Sequence, residues 1–260
     1  MMQAPEGTRA RVFLDPPELC GHRGSGRGVV DGHAENTLQS HRAAVAAGLR
    51  WVEVDARLTS DGVLVARHDP LTEDGRAVAR LAAAETDRLG LMRLADLFEA
   101  LPPAVGVNIE IKTALEDARR PRRQTTASGV ADLVAGEHAR RRLLVTSFDP
   151  AAVIIVRESC PEVPVGLLTW SGFPLRKAIP AAVHLGVDVV AVHFSSFKLE
   201  QAFARRDALE PEHSVRVAHD AGLQVIAWCP EPGDGEELIA AGVDCLIVDD
   251  ARAAVAHYRR

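Results

Sequence analysis

Lysine, long apolar runs and paired cysteines are scarce or missing in this sequence, and each absence excludes a class of protein. Only three of the 260 residues are lysine and the net charge is −6, so a nucleic-acid partner is not expected. No run of about 18 apolar residues could form an integral membrane helix. The four cysteines contain no C-x-x-C pair, and no segment resembles a secretory leader, which favours reduced thiols in a cytoplasmic protein.

A nucleotide-binding fingerprint is also missing, because no G-x-G-x-x-G follows an apolar strand-like run. The chain instead alternates short apolar runs with longer helical patterns. The predicted strands are 18–21, 51–57, 106–112, 143–147, 165–168, 187–192, 224–228 and 245–248. The predicted helices are 37–47, 94–101, 126–139, 150–159, 174–185, 211–221, 236–241 and 251–258. Eight such units in about 250 residues predict an α/β fold of the (β/α)8 TIM-barrel type, with a doubly wound open sheet as the competing architecture.

A single domain is predicted over residues 18–260, after an N-terminal extension over residues 1–17 that is polar and contains proline. The main irregular stretch, residues 69–93, is predicted to be a long loop with a helical turn near residues 82–89. Residues 24–32 are rich in glycine, and we interpret them as a flexible lid rather than a phosphate cradle. None of these patterns determines the oligomeric state.

Two pairs of charged residues stand inside apolar strand-like runs, Glu53 with Asp55 and Glu110 with Lys112. Residues at i and i+2 of a strand point to the same face, so each pair projects together. Buried charges are costly unless they are paired, hydrogen-bonded or bound to a metal. Three acids offer oxygen ligands only, which suit a hard cation such as Mg²⁺ or Ca²⁺. The alternative is a set of interior ion pairs with Lys112 and Arg57.

Two histidines lie at predicted strand ends, where a barrel carries its active site. His22 follows the first strand, and His68 follows a short strand-like stretch after the second. Two imidazoles beside a metal can form a general acid–base pair, with two structural histidines as the less favoured alternative. Arg23 and Lys112 would supply positive charge to an anionic group, with arginine offering bidentate geometry to a phosphate.

Four further residues are weaker candidates. Glu35 and Asn36 precede the first helix, so a capping or supporting role is expected for them. Trp228 closes the seventh strand and is a candidate contact for the alcohol part of a substrate, with core packing as the alternative. His193 follows the predicted sixth strand and is a candidate substrate contact.

The order and spacing of these motifs resemble the glycerophosphodiester phosphodiesterase family. The resemblance extends over residues 20–251, including the strand ends near Phe148 and Asp249. The motifs are His22-Arg23-Gly24, Glu35-Asn36-Thr37, Glu53-Val54-Asp55, Thr59-Ser60-Asp61-Gly62, His68-Asp69 and Ile109-Glu110-Ile111-Lys112.

The resemblance implies a barrel of the phospholipase-C-like phosphodiesterase type that hydrolyses glycerophosphodiesters, its small-molecule substrates, to glycerol 3-phosphate and an alcohol. It implies one divalent cation, Mg²⁺ or Ca²⁺, held by Glu53, Asp55 and Glu110. It also implies an acid–base role for His22 and His68. By the same pattern Arg23 and Lys112 would contact the phosphate.

The sequence departs from the family pattern at three places, and the last two, which touch the substrate-facing rim, leave the preferred alcohol open. Ala34 replaces a usual proline, Cys229-Pro230 follows Trp228 where the family commonly has Thr-Val-Asn, and the stretch over residues 69–93 is short. One alternative function is a lysophospholipase D or a sphingomyelinase-D-like enzyme, which needs an apolar mouth. A second is a non-catalytic ligand-binding barrel, which is disfavoured because no member of the catalytic set is missing.

Overall fold

The computed structural model describes residues 11–203 and 210–258. Its strands are β1 (Glu18–Gly21), β2 (Val29–Val30), β3 (His33–Ala34), β4 (Trp51–Leu58), β5 (Leu64–Ala66), β6 (Gly106–Ile111), β7 (Leu143–Ser147), β8 (Val165–Leu168), β9 (Val189–His193), β10 (Gln224–Trp228) and β11 (Cys245–Val248). Its helices are α1 (Leu38–Ala46), α2 (Ala83–Arg88), α3 (Leu94–Ala100), α4 (Thr126–Glu137), α5 (Pro150–Ser159), α6 (Leu175–Leu185), α7 (Ser195–Phe203), α8 (Pro211–Asp220), α9 (Pro232–Ala240) and α10 (Ala251–Tyr258). Short 3-10 turns occur at Val78–Arg80, Leu115–Arg119 and Arg122–Gln124.

Eight parallel strands close into a barrel. Their order is β1, β11, β10, β9, β8, β7, β6 and β4, and β1 also pairs with β4. This closure confirms the predicted (β/α)8 fold and excludes the open sheet. Strand β5 is antiparallel to β4 and extends the sheet outside the barrel.

Some predicted boundaries are wrong. The sixth barrel strand runs from Val189 to His193 rather than over residues 187–192, so His193 belongs to the strand itself. Helix α9 begins at Pro232 rather than at residue 236. Proline is favoured in the first helical turn, and here it starts the helix although Gly233 and Gly235 follow it. Helix α7 was not predicted, and neither was the β2–β3 hairpin, which begins within the predicted lid and ends just after it. The helical turn expected near residues 82–89 is present as α2.

Alternation along β4 divides its side chains between two environments. Val52, Val54 and Ala56 belong to the apolar layer between barrel and helices. Trp51 belongs to a smaller apolar cluster in the barrel interior. A Cβ atom at the paired position Gly106 would lie 2.5 Å from the Trp51 ring, so glycine provides the space for this indole. The i+2 rule then places the charged residues of β4 on the same inner face, above Trp51.

A short N-terminal segment covers the amino-terminal end of the barrel. The Val12 and Phe13 N–H groups donate to Gln224 Oε1 at 2.7 and 3.0 Å. The Phe13 ring centroid lies 5.2 Å from that of Trp51. Trp51 and Gln224 are the first residues of their strands, so the segment packs at the end opposite the strands' carboxyl termini. The division of the chain at residues 17 and 18 stays a prediction.

None of the helices in the described ranges has the length and apolar character needed to cross a membrane. The cytoplasmic location stays a prediction.

Candidate active site

A cavity of about 630 Å³ opens at the carboxyl ends of the barrel strands. The predicted site residues that line it are His22, Arg23, Glu53, His68, Glu110, Lys112, His193 and Trp228. Asp55 lies beside them, fully buried. The fold therefore brings together side chains from strands and loops spread along most of the chain.

Glu53, Asp55 and Glu110 form a buried acidic cluster. One oxygen of each carboxylate lies within 4.8 Å of the other two. The register of the barrel accounts for this, because β4 pairs with β6 so that Asp55 is level with Glu110, and Glu53 lies one inward step below. The spacing in the sequence and the strand pairing together create the cluster.

Two oxygens of the cluster have no hydrogen-bond partner among the described residues, Glu53 Oε1 and Asp55 Oδ1. Asp55 Oδ1 lies 3.1 Å from Lys112 Nζ, an ion-pair distance without hydrogen-bond geometry. Buried carboxylate oxygens are normally satisfied, so these two oxygens are suited to ligate a cation. An all-oxygen donor set suits a hard divalent ion.

The charges within the cluster are unequally compensated. Burial, and then the charges of Asp55 and Glu110, raise the pKa of Glu53 well above its usual value. Burial acts in the same direction on Asp55, but Lys112 and Arg23 outweigh it and lower the pKa of Asp55. Burial and the charge of Asp55 raise the pKa of Glu110. Without a cation, the cluster therefore disfavours three simultaneous negative charges.

Lys112 and Arg23 both contact the acids directly. Lys112 forms an ion pair with Glu110 as well as with Asp55. Arg23 Nε lies 3.3 Å from Asp55 Oδ2. The Arg23 backbone N–H donates to Glu53 Oε2 at 2.8 Å. The two predicted phosphate contacts thus lie at the edge of the acidic cluster.

Glu35 and Asn36 support these groups from the turn before α1. Glu35 accepts hydrogen bonds from Arg23 Nη1 at 2.8 and 3.0 Å. Asn36 Nδ2 donates to Asp55 Oδ2 at 2.7 Å, and its Oδ1 accepts from the Asp55 N–H. Thr37 is the residue that caps the helix, through Ser40 N–H. Arg23 and Asn36 have φ values of 52° and 56°, a strained conformation that turns both side chains toward the site.

His22 is held by a carboxylate from the last barrel strand. Its Nδ1 lies 2.6 Å from Asp249 Oδ1. The hydrogen bond of His22 lowers the pKa of Asp249 to about 2 although burial opposes the shift. Because Nδ1 is engaged, proton exchange with a substrate falls to Nε2.

His68 has a similar partner from its own loop. Its Nδ1 lies 2.7 Å from Asp69 Oδ1. The His68 carbonyl oxygen accepts from Arg57 Nε at 3.0 Å, which fixes the loop to β4. Burial, and then the charge of Lys112, lower the pKa of His68 and favour the neutral ring.

Aromatic rings form another wall of the cavity. Phe148 stacks on Trp170 at a centroid distance of 4.3 Å and meets the Trp228 ring edge-on at 6.2 Å. His193 packs against Trp228 at 4.3 Å, and its Nδ1 lies 2.7 Å from Ser195 Oγ. The predicted contacts Trp228 and His193 therefore sit together, apart from the acids.

Sequence reasoning gave no site role to Asp249, Asp69, Phe148 or Arg57. Asp249 directly follows the strand β11, and Asp69 is adjacent to His68, so position at a strand end was an available signal for both.

Arg57 continues the i+2 series of Glu53 and Asp55 on the inner face. Phe148 directly follows β7, and its neighbours are Trp170 from a loop and Trp228 from the end of β10, so no local pattern pointed to the ring stack.

Comparisons with known proteins agree with this geometry. Residues 22–253 match the glycerophosphoryl diester phosphodiesterase family. A glycerophosphodiester phosphodiesterase of Caldanaerobacter subterraneus is 24% identical over 261 aligned positions, covering 91% of this chain and 96% of that protein.

Solved structures share the same barrel. A phosphodiesterase of Oleispira antarctica, in complex with the product sn-glycerol-3-phosphate, aligns with a TM-score of 0.74 at 22% identity, covering 94% of this chain and 97% of that one. A glycerophosphodiester phosphodiesterase of Thermotoga maritima aligns with a TM-score of 0.70 at 22% identity, covering 92% and 96%.

Proposed function

The chain belongs to the glycerophosphoryl diester phosphodiesterase family, which confirms the resemblance, and we propose that it hydrolyses glycerophosphodiesters to glycerol 3-phosphate and an alcohol. The observation that carries the proposal is the buried cluster of Glu53, Asp55 and Glu110, with two unsatisfied oxygens, at the base of a cavity that also holds two carboxylate-bound histidines. The substrate is a small molecule.

The three acids would hold one divalent cation, Mg²⁺ or Ca²⁺. When bound, such a cation stabilises negative charge on the non-bridging oxygens of a phosphodiester. Arg23 and Lys112 line the same cavity and would add positive charge on those oxygens. Glu35 holds the Arg23 guanidinium, and Asn36 holds the Asp55 carboxylate, so both act as positioning residues.

His22 and His68 would form the general acid–base pair. One ring removes a proton from water or from the neighbouring substrate hydroxyl, and the other protonates the leaving oxygen. Each Nδ1 faces a carboxylate, which fixes the tautomer and leaves Nε2 for the transfer. An in-line displacement requires the two rings on opposite sides of the phosphorus.

The aromatic wall would face the organic part of the substrate. Trp228 and Phe148 offer apolar ring surfaces, and His193 offers a polar edge beside them. Contacts of this kind tolerate several alcohols, so the wall would tune the preferred alcohol rather than the reaction.

A product assay tests the reaction. Glycerol 3-phosphate release is measured with glycerophosphocholine, glycerophosphoethanolamine and glycerophosphoglycerol, each with EDTA, Mg²⁺ or Ca²⁺. We expect release that EDTA abolishes and that one of the two cations restores. No release with any diester under any condition would contradict the proposal, and full activity in EDTA would contradict its metal requirement.

Substitution of the histidines tests the acid–base assignment. His22→Ala and His68→Ala should each lower kcat by about 10²–10⁴-fold, because general acid–base catalysis contributes on that order. His138→Ala is the matched control, since His138 is exposed at the end of α4. Near-normal kcat in either site variant, with unchanged circular dichroism, would refute the role of that histidine.

A lysophospholipase D activity is the second candidate, and one observation favours it. Leu71 and Leu115 are 47% and 85% exposed. They line a groove that shares Arg57, Pro70 and Thr113 with the central cavity. An acyl chain would fit such an apolar groove. Parallel turnover of glycerophosphocholine and lysophosphatidylcholine separates the two activities, and preference for the lipid would favour the second.

A further inference from the structure

Three side chains of different chemistry meet at the barrel mouth outside the acidic cluster, His22, Cys229 and Asp249. One potential ligand atom from each lies within 4.8 Å of the other two. Cys229 Sγ is 3.4 Å from His22 Nδ1, and the same nitrogen is 2.6 Å from Asp249 Oδ1. All three side chains are half-buried, and His22 and Cys229 line the central cavity.

We propose that these three side chains form a second metal site, which takes a borderline-soft cation such as Zn²⁺, and that its occupation inhibits the enzyme. Sulfur, nitrogen and oxygen donors together are the set that zinc prefers, whereas Mg²⁺ and Ca²⁺ prefer oxygen alone. Three protein ligands with an open fourth position match the common zinc arrangement. The two metal sites in the mouth thus differ in chemical preference.

The distances are close to those that the cation requires. Bond lengths of about 2.0–2.3 Å in a tetrahedral site separate neighbouring ligand atoms by roughly 3.3–3.6 Å. The distance between Sγ and Nδ1, 3.4 Å, already falls in this range. The distance between Nδ1 and Oδ1, 2.6 Å, must increase by less than an ångström, which small side-chain rotations supply.

Cys229 is placed for this role by its backbone. The residue directly follows β10, its N–H donates to the Ile247 carbonyl at 2.8 Å, and its φ of 53° lies in the left-handed region. This conformation directs the thiol toward His22 rather than along the strand.

Charge and proton balance are satisfied on binding. The Cys229 thiol releases its proton to solvent as the bond from Sγ to the cation forms, and Asp249 contributes a second negative charge. The Nδ1 proton of neutral His22, which faces Asp249, moves to Nε2 through solvent, and Nδ1 then donates its lone pair to the cation. The inhibition rests on the proposed function, in which the His22 ring accepts or donates a proton. A cation on His22 Nδ1 removes the hydrogen bond to Asp249 and immobilises that ring.

Cobalt absorption tests the site without reference to activity. The wild-type protein in excess Mg²⁺, which saturates the acidic cluster, is titrated with Co²⁺. We expect thiolate-to-cobalt charge-transfer absorption in the near ultraviolet, competed away by Zn²⁺. Cys229→Ser should lose this absorption. Cys160→Ser, which changes a buried cysteine at the end of α5, and Glu110→Gln, which changes the acidic cluster, should retain it.

The inhibition is measured on each variant relative to its own rate without zinc. Cys229→Ser should raise the Zn²⁺ concentration for half-inhibition by about tenfold or more, because it removes a ligand. Absent cobalt–thiolate absorption, or absorption unchanged in Cys229→Ser, would overturn the site. Absorption with equal zinc sensitivity in both proteins would overturn the inhibition. If no diester is hydrolysed, the proposed function fails, and the absorption still decides the site.

Discussion

The buried carboxylate of Glu53 is unfavourable for stability but suited to the proposed cation site. It is fully buried beside Asp55 and Glu110, and its Oε1 has no partner in the described part of the chain. The raised pKa of this carboxyl reflects the free energy lost by holding a charge there. Such a residue lowers the stability of the metal-free protein, and the proposed cation would offset this loss.

Replacing Glu53 with glutamine separates these two effects. Glu53→Gln keeps an oxygen to accept from the Arg23 N–H and removes the buried charge. In EDTA we expect the free energy of unfolding to rise by about 1 kcal/mol. Addition of Mg²⁺ or Ca²⁺ should stabilise the variant less than the wild type, because a ligand is lost. Both effects are measured by denaturant titration.

Glu99→Gln is the matched control for this substitution, since Glu99 is an exposed acid on α3. It should change neither the unfolding free energy in EDTA nor the stabilisation by metal. A Glu53→Gln variant that is less stable than the wild type in EDTA would show that the buried charge of Glu53 does not lower the free energy of unfolding.

At the scale of elements, Asp61 links the turn after β4 to the start of α2. Asp61 Oδ1 accepts from Thr59 Oγ1 at 2.6 Å and from the Ala83 N–H at 2.9 Å, at the start of α2. Those two hydrogen bonds, the Thr59 one first, lower the pKa of Asp61 below its usual 3.8. Asp61 therefore holds the turn between β4 and β5 against the amino end of α2.

The stability contribution of Asp61 should depend on pH with a defined sign. Because the folded-state pKa is lowered, the contribution is complete above pH 3.8 and is lost as the pH falls through the folded-state value. Asp61→Asn should lose stability relative to the wild type at pH 7, and the difference should shrink as the pH approaches 3. Denaturant midpoints measured across this range test it.

Asp132→Asn, at an exposed position on α4, is the control for the pH series. Its difference from the wild type should stay small at every pH. A pH-independent deficit in Asp61→Asn would show that the carboxylate charge is not what stabilises the loop.

At the scale of the whole molecule, the two ends of the barrel differ in the side chains that they carry. The carboxyl end holds the cavity and the predicted site residues. The amino end is packed with apolar groups, including Phe13 against Trp51. Stability and chemistry are therefore separated along the barrel axis, as is usual for this fold.

Removing the Phe13 ring should affect stability and spare catalysis. Phe13 is 1% exposed, so Phe13→Ala should lower the free energy of unfolding by about 3–5 kcal/mol. The neighbouring Leu14 is 66% exposed, and Leu14→Ala should cost little. Denaturant titration measures both variants. The kcat per folded molecule should stay unchanged, and a large loss of kcat in Phe13→Ala would contradict the separation of the two ends.

Local patterns in the sequence determined the strand–helix alternation and the identity of the three acids in the buried cluster. Period-2 alternation makes Glu53 and Asp55 share a face, and it does the same for Glu110 and Lys112, whatever the strands pair with. Boundaries were less certain where a strand end or a helix start depends on packing, as at Val189 and Pro232. The site roles assigned to these residues stay predictions until they are measured.

Only the tertiary structure decided which groups surround His22, whereas the partner of His68 is its sequence neighbour Asp69. His22 and Asp249 are 227 positions apart, and Cys229 is 207 positions from His22. They meet because β1 pairs with β11 as the barrel closes, and no local period encodes that contact. The sequence by itself therefore determined which chemical groups face the cavity, since strand geometry is local. Barrel closure decided their partners, since hydrogen-bonding and coordination distances depend on long-range pairing.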